Sequence, residues 1–232
     1  MKFLRKSADR GSANFGWLQA LHSFSFGNYY DPRYMGFSAL RVINEDRVAA
    51  ARGFPTHGHQ DMEIITFILS GALEHKDSMG NGSIITPGQI QYMSAGTGVD
   101  HSEYNPSTTE QTHLLQIWIE PHTKGLTPRY GQKDFTRENI TNSLYLLCSE
   151  QGENGSIPIR QDAKLFVGKF LAGHTQIVPT KNNRGTWIQV LSGNLEVAEE
   201  RLSPGDGLAI EQVDQILLSA STPCEFLLFD LP

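Results

Sequence analysis

Cysteine is scarce in this chain, with only Cys148 and Cys224 among 232 residues. No Cys-x-x-Cys pair exists, so neither a disulfide framework nor a thiolate zinc site is written into the sequence. Both cysteines fall in apolar runs, SLYLLCSE and TPCEFLLF, and are expected to be reduced packing residues. Basic charge is also short. Nineteen Lys and Arg against 25 Asp and Glu leave a net charge of −6, which argues against an electrostatic nucleic-acid footprint. No apolar run approaches the ~18 residues of a membrane span, and the opening MKFLRKSADRG turns polar too soon for a secretory signal. The expectation is a cytoplasmic monomer with no direct nucleic-acid or membrane partner.

Helical periodicity is rare as well. The stretch NFGWLQALHSFSF (Asn14–Phe26) is expected to hold about one helical turn, and DFTRENIT (Asp134–Thr141) a short helix. Elsewhere 22 glycines punctuate short runs rich in Val, Ile, Leu, Phe, Tyr and Trp, such as MEIITFILSG, LLQIWIEP, TWIQVLSG and EFLLFDLP. Strand-length runs bounded by turn residues are the all-β pattern.

The chain repeats itself. Leu-Ser-Gly-Ala-Leu-Glu at Leu69–Glu74 returns as Leu-Ser-Gly-Asn-Leu-Glu at Leu191–Glu196, and each copy is followed by a Pro-Gly turn, at Pro87 and at Pro204. The same two elements in the same order predict a duplicated β-domain, with the boundary in the connector near 125–145. The domains expected are 1–130, metal-binding, and 131–232, without metal ligands.

Eight histidines are present, and two of them stand one residue apart in HGHQDMEIIT. A strand alternates its side chains between faces, so an extended chain sends His57, His59, Asp61 and Glu63 the same way. In MSAGTGVDHSEYNPS, His101 and Glu103 repeat that parity. Adjacent antiparallel strands carrying these pairs bring three imidazoles and a carboxylate around one point, a set suited to a divalent first-row metal such as Fe, Ni, Cu, Mn or Zn. The repeat shift carries the four positions to Pro179, Lys181, Leu218 and Ala220, where no ligand type remains. One copy keeps the histidines and the other does not. The fold therefore does not need them.

Three strings, HSFSFGNYYDPRYMGFSALRVINED, THGHQDMEIITFILSGALEHKDS and MSAGTGVDHSEYNPS, resemble those of the pirin family, and most nearly the bacterial pirin-like quercetin 2,3-dioxygenases. The resemblance covers essentially the whole chain. It implies two cupin (jelly-roll) β-barrels packed face to face, with one divalent transition metal (Fe, Ni, Cu, Mn, Co or Zn) held by His57, His59, His101 and Glu103. The general cupin pattern takes its carboxylate from the first motif, here Glu63. Seven residues separate Glu63 from Gly71 where six are expected, and Gly96 stands where the second motif has proline. Glu103 is accordingly favoured as ligand, and Glu63 as a buried, hydrogen-bonded strand residue. The implied activity is metal-dependent dioxygenation of a flavonol such as quercetin, with dioxygen opening the heterocyclic ring, carbon monoxide leaving, and Glu103 acting also as the catalytic base. The alternative is a non-catalytic metal- or redox-sensing partner of a transcription regulator. An enzyme needs a cavity wide enough for a flat aromatic substrate, whereas a sensor does not.

The remaining singular residues have plainer readings. His22 is expected to be structural, His75 and His113 solvated or pairing across a sheet, and Asn105 a turn residue. His122 and His174 have no partner in sequence. The aromatics Trp17, Phe24, Phe26, Tyr29, Tyr30 and Phe37 are expected to seal a barrel end, and the second barrel to serve as a structural lid.

Overall fold

The structure is a computed structural model that describes residues 2–135 and 140–232. Half of the expected DFTRENIT helix, residues 136–139, lies outside them. No α-helix occurs among the described residues. The chain forms two compact units. The first is Gly11–Phe135 with Ile159–Gln161, and the second takes the other described residues, including those up to Arg10.

Strand β1 (Lys2–Arg5) belongs to the second unit. The first unit contains β2 (Gly11–Asn14), β3 (Leu18–His22), β4 (Leu40–Val48), β5 (Gly53–His59), β6 (Glu63–Ser70), β7 (Leu73–Asp77), β8 (Gly82–Ile85), β9 (Gln89–Ser94), β10 (Val99–Tyr104), β11 (Thr112–Ile119) and β12 (Arg129–Asp134). The second continues with β13 (Ser143–Ser149), β14 (Ile157–Pro158), β15 (Lys164–Phe170), β16 (Thr175–Pro179), β17 (Gly185–Ser192), β18 (Leu195–Val197), β19 (Glu200–Leu202), β20 (Gly207–Glu211), β21 (Gln215–Ala220) and β22 (Cys224–Leu231). The division expected after residue 130 would cut β12, which pairs with β9 in the first unit, so the change of unit comes a few residues later.

Each unit has a seven-stranded and a four-stranded sheet. The orders are β12-β9-β6-β11-β4-β3-β2 with β5-β10-β7-β8, and β1-β20-β17-β22-β15-β13-β14 with β16-β21-β18-β19. The two agree place for place, which establishes the duplication. The edge place held by β12 in one unit is filled in the other by β1, from the far end of the chain. Within each unit the central strands β6 and β17 are buried through their first six residues, as an apolar run covered on both faces requires. Burying side chains such as Ile65 or Phe67 contributes roughly 1.5–3 kcal/mol each. Gly71 and Gly193, the repeat glycines, both have positive φ, and a Cβ on either would press into the backbone just before β11, at Gln111, or just before β22, at Pro223. The turn demands glycine twice for the same reason.

One element departs from expectation. NFGWLQALHSFSF holds no helical turn; it contains β3, paired with β2 from Gly11↔His22 to Asn14↔Gln19. Its alternation decides this, for Leu18, Ala20 and His22 are buried while Gln19 is exposed. Cys148 and Cys224 are free and buried, as their apolar surroundings predict.

Candidate metal centre

Strand β5 is the edge of the four-stranded sheet, which tolerates Pro55 because no ladder hydrogen bond is lost there. It pairs antiparallel with β10, placing His59 opposite Val99 and His57 opposite His101. The register then shifts, so that Glu103 lies opposite Phe54 and Tyr104 opposite Gly53. Gly53 permits this approach, since a Cβ there would sit 2.1 Å from the Glu103 carbonyl oxygen. Asp61 has φ +62, in a turn, and Glu63 begins β6 in the other sheet. The four residues of HGHQDMEIIT therefore do not share one face. Only His57 and His59 remain together.

The three imidazoles meet as expected. Ring centroids of His57, His59 and His101 are 4.5–4.8 Å apart, and one nitrogen from each lies within 4.8 Å of the others. His57 Nδ1–H donates to the Pro55 carbonyl at 2.8 Å, leaving its Nε2 with a lone pair. That Nε2 is 3.1 Å from His101 Nε2. His101 Nδ1 lies 3.5 Å from His75 Nδ1, which already accepts from Gln91 Nε2 at 2.9 Å. With the His101 proton on Nδ1, the tautomer that coordination through Nε2 requires, the two Nε2 lone pairs face one another across 3.1 Å, a separation that a cation between them bridges. Two nitrogens at right angles on a metal, each at about 2.1 Å, are about 3 Å apart. The donors fit a divalent first-row ion.

Their electrostatics agree. Burial, with the His57 charge next, lowers the His59 pKa to about 4. Burial, then His57, His59 and His75, lowers His101 to about 3. Both rings are unprotonated, as ligands must be.

Behind them stands His75, for which the structure excludes one of the two expected settings, solvated or pairing across the sheet. His75 is fully buried, not solvated. It sits opposite Glu103 in the ladder, stacks on Tyr130 with centroids 5.0 Å apart, and donates Nε2–H to Asp77 Oδ2 at 3.2 Å. Asp77 is fixed in turn by the Asn81 backbone and side-chain amides. A carboxylate orienting one histidine that touches a candidate ligand histidine is the outer support metal sites need. Glu103 is 3% exposed, and both its oxygens accept from Gln116 Nε2 at 2.8 Å. Its acidic atoms group with His75 and His101 within 4.8 Å, whereas the three imidazoles form a group without it. Burial raises its pKa to about 7, against the lowering effect of Gln116 and Thr66.

Glu63 accepts from Ser94 Oγ at 2.6 Å, from the Arg160 amide at 2.8 Å and from the Tyr92 hydroxyl. It is the buried strand residue expected. Asn105 closes its turn through Val48, Glu110 and Ser107, and His113 pairs with Glu45 across the sheet at 2.8 Å. His22 is buried and bonds Asn44. Of the aromatics, Phe24 and Phe37 are buried and Tyr30 is 71% exposed, while Trp17, Phe26 and Tyr29 line a cavity.

The ladders also correct the comparison between the copies. Val197 faces Leu218 as His75 faces Glu103, and Val178 faces Ile216 as His57 faces His101. The equivalents of His57, His101 and Glu103 are therefore Val178, Ile216 and Leu218, one to two residues from the positions that loop lengths give. All are aliphatic.

The Pirin family model matches residues 4–119. The chain belongs to the pirin family. A second model, the quercetinase C-terminal cupin domain, matches residues 146–231. A protein of Escherichia coli strain K12 named quercetin 2,3-dioxygenase is 48% identical over 232 residues, which is 100% of this pirin and 99% of that protein. A pirin-like protein of Caulobacter vibrioides is 40% identical, covering 97% of this chain and 98% of its own. The bacterial pirin YhhW of Escherichia coli, in complex with nickel(II), superposes with a TM-score of 0.96 at 48% identity, covering 100% and 99% of the two chains. Fold, duplication and cupin architecture are those the three motifs implied. No helix among the described residues of this pirin is long and apolar enough to cross a membrane.

Proposed function

We propose that this pirin is a metal-dependent dioxygenase that opens the heterocyclic ring of a flavonol such as quercetin, with His57, His59, His101 and Glu103 as metal ligands. The observation that carries the reading is the cluster of three imidazoles, with the Nε2 atoms of His57 and His101 3.1 Å apart, in the wall of a cavity of about 300 Å³. Phe26, Phe54, Ile64 and Trp118 line that cavity with the ligands. A concave, mostly apolar space with a few convergent polar groups is what a flat aromatic substrate requires. A sensor that only binds metal needs no such room. The quercetin 2,3-dioxygenase name of the Escherichia coli relative supports the substrate class.

Glu103 joins the set on two grounds. It lines the same cavity, and a carboxylate has about four lone-pair sites, so the Gln116 bonds leave capacity for a ligand or a proton. A bound metal supplies positive charge that favours the ionised flavonol hydroxyl. Glu103 takes the hydroxyl proton, Gln116 holds its carboxylate in place, and His75 fixes the ring of His101. The apolar lining excludes water from the activated ring. Both atoms of dioxygen enter the product as the ring opens and carbon monoxide leaves.

The test is oxygen uptake with quercetin by protein stripped of metal and reloaded in turn with Fe, Ni, Cu, Mn and Co, beside a His101→Ala control. Uptake with one metal that vanishes in the control supports the reading. Stoichiometric metal binding without uptake by any form sinks it and favours the sensing partner.

A further inference from the structure

Beside the metal cavity lies a larger one of about 570 Å³. The two adjoin, since Phe26, Asn44, Asp46 and Phe54 line both. The larger lobe contains none of the metal-ligand cluster. Its walls are rings, Trp17 and Tyr29 among them, and its buried polar residues come from β3 and β4: His22, Asn44 and Asp46 are only 5%, 4% and 4% exposed.

Two of these polar groups satisfy each other. His22 Nδ1 and Asn44 Oδ1 are 2.7 Å apart and sit opposite in the ladder. Asp46 is different. Its Oδ1 is shielded from solvent and has no hydrogen-bond partner among the described residues. Leaving a buried acceptor unpaired costs on the order of 1–3 kcal/mol.

The second unit shows that the fold does not impose this cost. Asp46 pairs with Leu114 as Gly168 pairs with Phe226, and Asn44 pairs with Gln116 as Phe166 pairs with Leu228. A Cβ on Gly168 would lie 2.3 Å from the Phe226 ring, so that ring occupies the position over the strand. Where the second unit inserts a phenyl ring of its own, the first keeps a ring-lined space and turns a carboxylate toward it.

We propose that the larger lobe is a subsite for a planar hydroxylated ring, and that Asp46 Oδ1 accepts a hydrogen bond from a ring hydroxyl there. This rests on the dioxygenase reading: the heterocycle lies in the metal lobe, and the pendant phenyl ring of the flavonol passes between Phe26 and Phe54 into the larger one. Asp46 is then a specificity residue for pendant-ring hydroxyls, with the His22–Asn44 pair stiffening the wall beside it.

The experiment is anaerobic titration of the metal-loaded protein, read by tryptophan fluorescence quenching, with two flavonols that differ only in whether the pendant ring carries hydroxyls. Wild type is expected to prefer the hydroxylated form about tenfold, a hydrogen bond to an otherwise unpaired buried acceptor being sufficient for that. Asp46→Leu abolishes the preference at unchanged metal stoichiometry, while Asp46→Asn, which keeps an acceptor oxygen, retains part of it. A wild type without preference overturns the proposal, as does a preference that survives in Asp46→Leu, or in Asp46→Ala should the leucine variant not fold. Binding with the expected preference but no oxygen uptake leaves this subsite standing and removes the dioxygenase reading. No flavonol binding at all removes both.

Discussion

Asp46 has a second consequence, for stability against pH. Burial, then the charges of Glu103 and Glu45, pushes its carboxyl from 3.8 up to about 7. In the unfolded chain the group ionises near its ordinary value, whereas the folded protein keeps the proton until about pH 7. Between those values the folded state binds more protons, so stability falls as pH rises, by about 1.4 kcal/mol per pH unit. The whole span amounts to a few kcal/mol, a large part of the ~5–15 kcal/mol that a domain possesses. His59 and His101 act oppositely. Their folded values near 4 and 3 lie below 6.5, so the unfolded chain binds more protons as the pH falls below 6.5, and stability drops on acidification. A raw stability curve mixes these signs. Comparison with Asp46→Asn separates them, because the histidines titrate in both proteins. Urea unfolding of the chelator-treated proteins at pH 4.5, 5.5, 6.5 and 7.5 is expected to show the variant gaining on wild type by about 1.4 kcal/mol per unit up to pH 6.5, then levelling. Parallel curves would refute the reasoning, for they would mean that Asp46 titrates alike in both states.

His101→Ala removes one of the two facing nitrogens, and elemental analysis after dialysis is expected to find less than a tenth of the wild-type metal. His75→Val, which installs the residue type of Val197, keeps the metal but weakens its affinity by roughly 10–100-fold, the usual cost of losing an outer partner; a competition titration against a chelator that gives equal affinities would contradict the His101 support. Gln116→Leu strips Glu103 of its main donor, so the metal-free protein is expected to lose about 1.5–3 kcal/mol in urea unfolding. Metal at 100 times its dissociation constant is expected to stabilise wild type by about 2.7 kcal/mol and His101→Ala hardly at all.

Much of this was legible in the sequence, for physical reasons that can be named. The repeat announced the duplication because a tight turn against an equivalent strand, β11 or β22, demands glycine in both copies, at Gly71 and Gly193. The i, i+2 pairs announced the imidazole cluster because strand parity is strict over two residues. It failed over six. Asp61 turns the chain into another sheet, and no count of alternation crosses a turn. His75 was missed although its signal was present: LSGALEH aligned on LSGNLEV sets it against Val197, one residue beyond the repeated stretch. The parts of the site that come from other strands, Asn44, Asp46 and Gln116, carry no local signature. Their facing is fixed by ladders between strands tens of residues apart, and loop lengths misplace such positions by one or two residues, enough to set Ala220 in place of Leu218 as the counterpart of Glu103.

The same alignment bears on why the site is where it is. Thr66, Gln91 and Gln116 form a cross-strand polar set in the first unit, and the corresponding ladder positions in the second are Ile188, Leu208 and Leu228. With His75, His101 and Glu103 against Val197, Ile216 and Leu218, six inward positions change from polar to apolar with the strand order unaltered. A buried polar group without full pairing costs a few kcal/mol, and an apolar replacement of similar shape is neutral or favourable. The second unit therefore presents the interior this fold adopts when packing alone decides. The first carries polar groups that packing does not require, several lacking a partner among the described residues, Asp46 Oδ1 and Gln116 Oε1 among them. Free energy given up at these positions of one copy, and not at their counterparts in the other, locates function in residues that individually resemble ordinary strand interior.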